Sequence, residues 1–137
     1  MKKLVFFLLL LTFLQGCGGG GGDESITVIL QGIANQVTGQ GGQTTPALGA
    51  IIKVVELNKS DEVTQNKVPQ GSYTITGVPV GGTYTVNITT SFINLVDINC
   101  TIQIPNTSTL TITNDGNGAC VAGASAPGVL VMNITLN

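Results

Sequence analysis

The 137-residue chain contains no histidine, no tryptophan and no arginine. Without histidine, the protein cannot use imidazole for acid–base catalysis or for binding a metal. A protein that reads nucleic acid needs clustered basic side chains to displace counterions from the phosphates, and this chain has only five lysines. The composition therefore excludes histidine-dependent enzymes and argues against a nucleic-acid partner.

Aromatic residues are scarce, and three of the four phenylalanines lie within the first 13 residues. Beyond that segment the aromatic residues are Tyr73, Tyr84 and Phe92. Sugar-binding surfaces and protein–protein hot spots depend strongly on exposed aromatic rings. The sequence therefore indicates no small-molecule substrate.

Nucleophiles and carboxylates occur without the patterns that catalysis needs. No nucleophile-elbow motif surrounds any serine. Adjacent acids occur at residues 23–24 and 61–62, where solvated roles are expected. Residues 114–118 (NDGNG) lack the acidic spacing of a calcium loop, so we expect a turn there. We predict a protein that is not an enzyme and has no catalytic, cofactor or metal site.

The amino terminus has the features of an export signal. Lys2 and Lys3 precede an apolar run at residues 4–14, which is shorter than the about 20 residues of a membrane-spanning helix. The following Leu14-Gln15-Gly16-Cys17 resembles the bacterial lipobox, in which the cysteine sulfur receives a diacylglyceryl group. This resemblance implies that residues 1–16 are removed and that acyl chains on Cys17 anchor the protein to a membrane. The alternative is an ordinary secretory peptide with an incidental cysteine.

Five glycines follow Cys17, and residues 17–25 are predicted to be a lipidated tether. Glycine loses more backbone freedom on ordering than any other residue, so this segment favours a flexible chain spanning about 15 Å. Gly18, rather than aspartate, follows the cysteine, which resembles lipoproteins sorted to the outer membrane of Gram-negative bacteria. The alternative location is the surface of a Gram-positive cell.

Residues 26–137 are rich in Thr, Ile, Val, Asn and Gly, which favours strands joined by turns. Alternation is clear at 83–90, where Tyr84, Val86 and Ile88 share one face. Residues 49–57 are apolar on both faces except at Lys53 and Glu56, which indicates a central strand or one partly covered by a loop. Residues 33–48 and 58–71 are expected to be long polar loops. We predict a single all-β, seven-stranded antiparallel Greek-key sandwich with strands at 26–32, 50–57, 72–77, 83–90, 95–104, 108–113 and 129–136.

Three stretches resemble a carboxypeptidase regulatory-like domain, which has a transthyretin-like (prealbumin-like) sandwich. They are LGAIIKVVE at 48–56, QGSYTITGVPVGGTYTVNI at 70–88 and VLVMNITLN at 129–137. The resemblance implies a spacer, stalk or binding module without catalytic residues of its own. Related adhesin domains carry a Lys–Asn isopeptide bond, and the one pair to consider here is Lys53 with Asn133, although Lys53 is not on the expected first strand.

Cys100 and Cys120 are candidates for a disulfide, because export places them in an oxidising compartment. The expected strands argue against the bond, since a three-stranded meander would place the two cysteines about 9–10 Å apart. A disulfide needs Cα atoms within about 7 Å. Either the two thiols are free, or one of the expected hairpins is wrong.

These features predict a lipid-anchored protein of the cell envelope with a structural or protein-binding role. Its expected partners are the membrane, through Cys17, and an envelope protein. The alternative function is a surface adhesin or an appendage subunit that associates through strand edges. The sequence does not identify the bound partner.

Overall fold

A computed structural model of the chain describes residues 24–39, 41–90 and 97–137. The described residues form two β-sheets, with a 3₁₀ turn at Val55–Leu57. No helix in this part of the chain is long and apolar enough to cross a membrane. The strands are β1 (Thr27–Thr38), β2 (Gln43–Pro46), β3 (Ile51–Val54), β4 (Lys59–Glu62), β5 (Ser72–Pro79), β6 (Gly82–Thr89), β7 (Ile98–Asn106), β8 (Thr109–Asn114), β9 (Cys120–Ala122) and β10 (Val129–Leu136).

The first sheet is built around the 12-residue strand β1. The first half of β1 pairs with β5 and its second half pairs with β2, both antiparallel. On its other side β1 pairs with β10, which also pairs with β9. The β1–β10 pair is parallel, so the expectation of a purely antiparallel fold is wrong. Parallel neighbours need a long crossover, and here the whole of the intervening domain supplies it.

The second sheet has the order β4-β3-β6-β7-β8, and all of its pairs are antiparallel. Residues 80–81 connect β5 in the first sheet to β6 in the second, with Gly81 at a φ of 83°. Strand β3 lies between β4 and β6, which confirms the expected internal strand. That strand is shorter than expected, because the chain turns into the 3₁₀ segment after Val54.

The alternation expected from the sequence is confirmed, and it forms the core between the sheets. In β6, Tyr84, Val86 and Ile88 are buried while Thr83 is exposed. Tyr73 in β5 is fully buried and is the largest completely enclosed side chain. The remaining core is mainly Ile, Val and Leu, so burial of aliphatic side chains is the main force that holds the two sheets together.

Each of the seven expected strands has a counterpart, although residues 95 and 96 of one of them lie outside the described residues. Three short strands were not expected: β2, β4 and β9. Strands β2 (QTTP) and β4 (KSDE) lie within the segments expected to be loops and carry no apolar alternation. They form because the edges of β1 and β3 offer unpaired backbone groups, which a local sequence pattern does not reveal. The described part of the chain is therefore all-β with two sheets, but it contains ten strands.

At one position between β1 and β10, side-chain hydrogen bonds take the place of the backbone hydrogen bonds that join the two strands elsewhere. The Tyr73 hydroxyl donates to the Met132 carbonyl oxygen at 2.6 Å. Beside it, the Ile33 amide donates to the Asn133 side-chain oxygen at 3.1 Å. Gly32 permits this arrangement, because a Cβ there would lie 1.8 Å from the Met132 oxygen. The strands therefore depend on a glycine at position 32.

Candidate functional site

Of the residues predicted to carry function, Cys17 lies outside the described residues, while Cys100 and Cys120 lie within them. These two cysteines form a disulfide, with their Cα atoms 6.4 Å apart. Cys100 is fully buried and Cys120 is 2% exposed. The bond therefore belongs to the core and is shielded from solvent.

The disulfide joins the two sheets, and the expected three-stranded meander is wrong. Cys100 lies on β7 in the second sheet, whereas Cys120 begins β9, which pairs with β10 in the first sheet. Residues 115–119 carry the chain from one sheet to the other after β8. The first and third strands of a meander are separated by the strand between them, whereas strands in facing sheets can present inward cysteines directly to each other.

The crossing at residues 115–119 is the turn expected from the NDGNG stretch. Gly116, Asn117 and Gly118 all have positive φ angles, and the Cys120 amide donates to the Asp115 carbonyl oxygen at 2.9 Å. Within the described ranges, no group of three or more histidine, cysteine or acidic residues could hold a metal ion.

The candidate isopeptide pair is separated by the sandwich. Lys53 lies on β3 between the buried Ile52 and Val54, so its side chain projects from the outer face of the second sheet. Asn133 lies on β10 between the buried Met132 and Ile134, and projects from the outer face of the first sheet. Residues on opposite outer faces cannot form a covalent bond with each other.

Residue 26 and the connection at residues 63–71 lie near different ends of strand β1. At the start of β1, the Ile26 carbonyl oxygen accepts from the Val80 amide, and the Ile29 amide donates to Gly128. Residues 63–71 lie further along β1, where the Ala34 amide donates to the Gly71 carbonyl oxygen and Ser72 pairs with Ile33. Residue 26 and residues 63–71 therefore lie towards opposite ends of β1.

Charged side chains close the gap between the edges of β4 and β5. Lys59 Nζ donates to the carbonyl oxygens of Thr76 and Gly77, at 2.8 and 2.9 Å. Asp61 accepts from the Thr74 amide at 2.6 Å and forms an ion pair with Lys67. These groups occupy backbone donors and acceptors that another strand would need.

Glu56 closes a second stretch of edge. Strand β3 ends at Val54, and beyond that point both carboxylate oxygens of Glu56 accept from the Thr85 amide at 2.9 Å. Slight burial opposes ionisation, but hydrogen bonds from the backbone amides of Glu56 and Thr85 and from the Thr85 side chain outweigh it. The pKa of Glu56 therefore lies below its ordinary value. Burial, and then the negative charge of Glu56, raise the pKa of Tyr84.

We expect Glu56→Gln to weaken the domain at pH 7 and to reduce its sensitivity to acid. A carboxyl group whose pKa is lowered by folding stabilises the native state above its unfolded value of about 4.5. That contribution is lost as the pH falls through the folded pKa. Urea unfolding at pH 7, 5 and 3 should show the difference between wild type and variant shrinking at low pH. The same measurement on Glu24→Gln, at an exposed position, is the control, and a constant gap for Glu56→Gln would contradict the assignment.

Strand β8 is the terminal strand of the second sheet opposite β4, and these charged groups do not cover it. Its sequence is TLTITN, without charge or proline. The side-chain hydrogen bonds of Thr113 and Asn114 to backbone carbonyls run to Thr101 and Asn99 of β7. Among the described residues, no side chain bonds to the backbone of β8 at its outer edge. This strand therefore has the chemical features of a site for pairing with another strand.

Comparison of the chain with known protein families, with curated proteins and with solved structures finds no match. The functional assignment therefore depends on the residues and geometry described above.

Proposed function

We propose that the chain is a lipid-anchored protein of the bacterial cell envelope, in which the β-sandwich serves as a structural or protein-binding module. The observation that carries this proposal is the order of segments: a short export signal, Cys17 in a lipobox-like context, a glycine tether, and then a strand-rich domain. Acyl chains contribute about 0.8 kcal/mol for each buried methylene, so two or three of them hold the protein to a membrane. Gly18 favours the outer membrane as its location, with a Gram-positive cell surface as the alternative.

The separation of residues 63–71 from the start of β1 supports a role for them as a binding end. Residues 63–71 lie away from the start of β1 and include Val68, whose side chain is 95% exposed. Lys67 and Asp61 pair with each other in the same region. Since the tether spans about 15 Å, it would let this end turn towards partners above the membrane surface.

The finer description of the module is also a proposal: a transthyretin-like Greek-key sandwich of the carboxypeptidase regulatory-like type. Its support is that the three stretches carrying the resemblance contribute strands β3, β5, β6 and β10. Both tyrosines of the 70–88 stretch are buried, and each hydroxyl donates to a backbone carbonyl, of Met132 and Pro79 respectively.

We expect Cys17→Ser to abolish acylation and signal cleavage together. Cells fed a palmitate analogue should label the wild-type protein, whereas the variant should be unlabelled and should retain residues 1–16. Gln15→Ala is the matched control, because it changes a neighbouring residue to one more usual in a lipobox and leaves Cys17 in place. Equal labelling of the Cys17→Ser protein, or a wild-type protein that starts at another residue, would refute the anchor.

A second function, a surface adhesin or appendage subunit that associates through strand edges, is favoured by the open edge of β8. The two functions differ in one measurable property. A module that acts alone is monomeric once its lipid is removed, whereas a subunit that pairs through β8 associates in a concentration-dependent way.

A further inference from the structure

The terminal strands of the two sheets are protected to very different extents. Strand β5 is covered by Lys59 and Asp61, and β4 carries three charges, with Lys67 on its Glu62 carbonyl oxygen. Strand β2 has four residues and ends in proline, and β9 has three residues, the first held by the disulfide. Charges, prolines and shortness are the usual means by which proteins prevent pairing at an edge. Strand β8 has six residues and neither a charge nor a proline, and the two irregular points of its pairing with β7 lie on either side of Thr111 and Ile112.

The sequence of β8 is nearly symmetrical about its third residue. From residue 109 to 113 it reads Thr-Leu-Thr-Ile-Thr, so Thr111 is flanked by two aliphatic residues and then by two threonines. Leu110 and Ile112 are half-buried and pack against the core, whereas the three threonines are exposed on the outer face. Thr111 and Ile112 pair regularly with Gln103 and Ile102, between the two irregular points of the β7–β8 ladder.

This symmetry makes the strand complementary to itself. If two copies of β8 run antiparallel about a twofold axis at Thr111, each Thr111 faces the other. Leu110 then lies opposite Ile112 of the second copy, and Thr109 lies opposite Thr113. Aliphatic pairs and threonine pairs are both favourable across antiparallel strands. The strand has no charge, so two copies do not repel each other along the edge.

We propose that the outer edge of β8 pairs with β8 of a second copy of this chain, joining the second sheets of two domains into one continuous sheet. The interface is isologous, because the same strand contributes from both sides. This inference deepens the proposed association through strand edges and does not depend on the lipid on Cys17. Where the lipid is present, confinement to a membrane raises the effective concentration and favours a contact formed by a single strand.

The test is a thiol placed at the twofold axis. The Thr111→Cys variant is made in the full chain and purified in detergent micelles. Its new thiol is added to a domain in which Cys100 and Cys120 are already joined to each other. Directly opposed residues in an antiparallel pair have Cα atoms about 4.5–5.5 Å apart, which is within disulfide range. Mild oxidation should convert this protein to a covalent dimer. Gln103→Cys is the matched control, because Gln103 faces Thr111 on the same outer face but lies on the internal strand β7.

A charge at the same position supplies an independent measurement. Thr111→Lys places two ammonium groups opposite each other and should weaken dimerisation by about tenfold in sedimentation equilibrium, with Gln103→Lys unchanged. Unchanged circular dichroism confirms that the exposed substitution leaves the fold intact. The proposal is overturned if Thr111→Cys crosslinks no faster than Gln103→Cys, or if the sedimentation mass of Thr111→Lys equals that of a dimeric wild type. It is also overturned if Thr111→Cys, oxidised in cells, forms its disulfide with a different protein and not with a second copy. Loss of acylation would refute the anchor and leave this result standing.

Discussion

Removal of the Cys100–Cys120 disulfide is expected to lower the free energy of unfolding by about 3 kcal/mol, as the loop-entropy relation gives for a sequence separation of 20. The disulfide restricts the unfolded chain, and in the native state it joins strands of facing sheets. A Cys100→Ala/Cys120→Ala double variant should therefore unfold at a markedly lower urea concentration. Because both positions are buried, alanine avoids leaving a polar hydroxyl in the core.

The control for this prediction is the reductant itself. Wild-type protein that has been reduced under denaturing conditions should unfold at a urea concentration close to that of the double variant, and the double variant should not respond to reductant. The slope of the unfolding free energy against urea should rise when the bond is removed, because the unfolded chain becomes more expanded. An unchanged midpoint after complete reduction would contradict a stabilising role for the bond.

Gly32→Ala is expected to destabilise the domain by about 3 kcal/mol, the upper part of the range for overpacked interiors. An added Cβ would meet the Met132 carbonyl oxygen at 1.8 Å and the Tyr73 ring at 3.1 Å. To relieve this overlap, either β1 and β10 must separate or the Tyr73 side chain must move. Movement of Tyr73 would break its hydrogen bond and leave the buried Met132 carbonyl oxygen without a donor. Urea unfolding monitored by far-ultraviolet circular dichroism measures the change.

Gly118→Ala is the matched control for Gly32→Ala. Gly118 has a φ of 83°, and nothing lies within 4 Å of its added Cβ, so only the backbone conformation is penalised. Its expected destabilisation is about 1 kcal/mol, as for other glycines at positive φ. Equal effects of the two substitutions would show that the contact between Gly32, Tyr73 and Met132 does not constrain the sheet.

Local pattern was sufficient to predict the strands that build the core. In β5, β6 and β8, apolar and polar residues alternate with the period of a strand, and the alternating faces are those that the structure buries and exposes. The turn at residues 114–118 was equally evident, because its glycines and asparagines tolerate positive φ. These features depend on neighbours in the chain, and a single sequence records such neighbours directly.

The candidate site was predicted less well, because its parts lie far apart in the chain. Cys100 and Cys120 were identified as a candidate pair, but their strands were assigned to one sheet. The residues of the turn at 115–119 do not determine which sheet the next strand joins. The roles of Glu56, Lys59 and Asp61 at strand edges were not foreseen. Charged residues in a polar segment look the same whether they are solvated or bound to a backbone group.

Residue order alone determined that this protein is strand-rich, which faces of its strands are apolar, and which residues form its turns. Sheet membership, the parallel pairing of β1 with β10, the inter-sheet disulfide and the open edge of β8 were decided by the folded chain. The reason is the distance along the chain over which each effect acts. Alternation and turn chemistry act over a few residues, whereas strand pairing satisfies backbone hydrogen bonds between segments up to 100 residues apart. Many alternative pairings satisfy these hydrogen bonds equally well until the whole core is assembled.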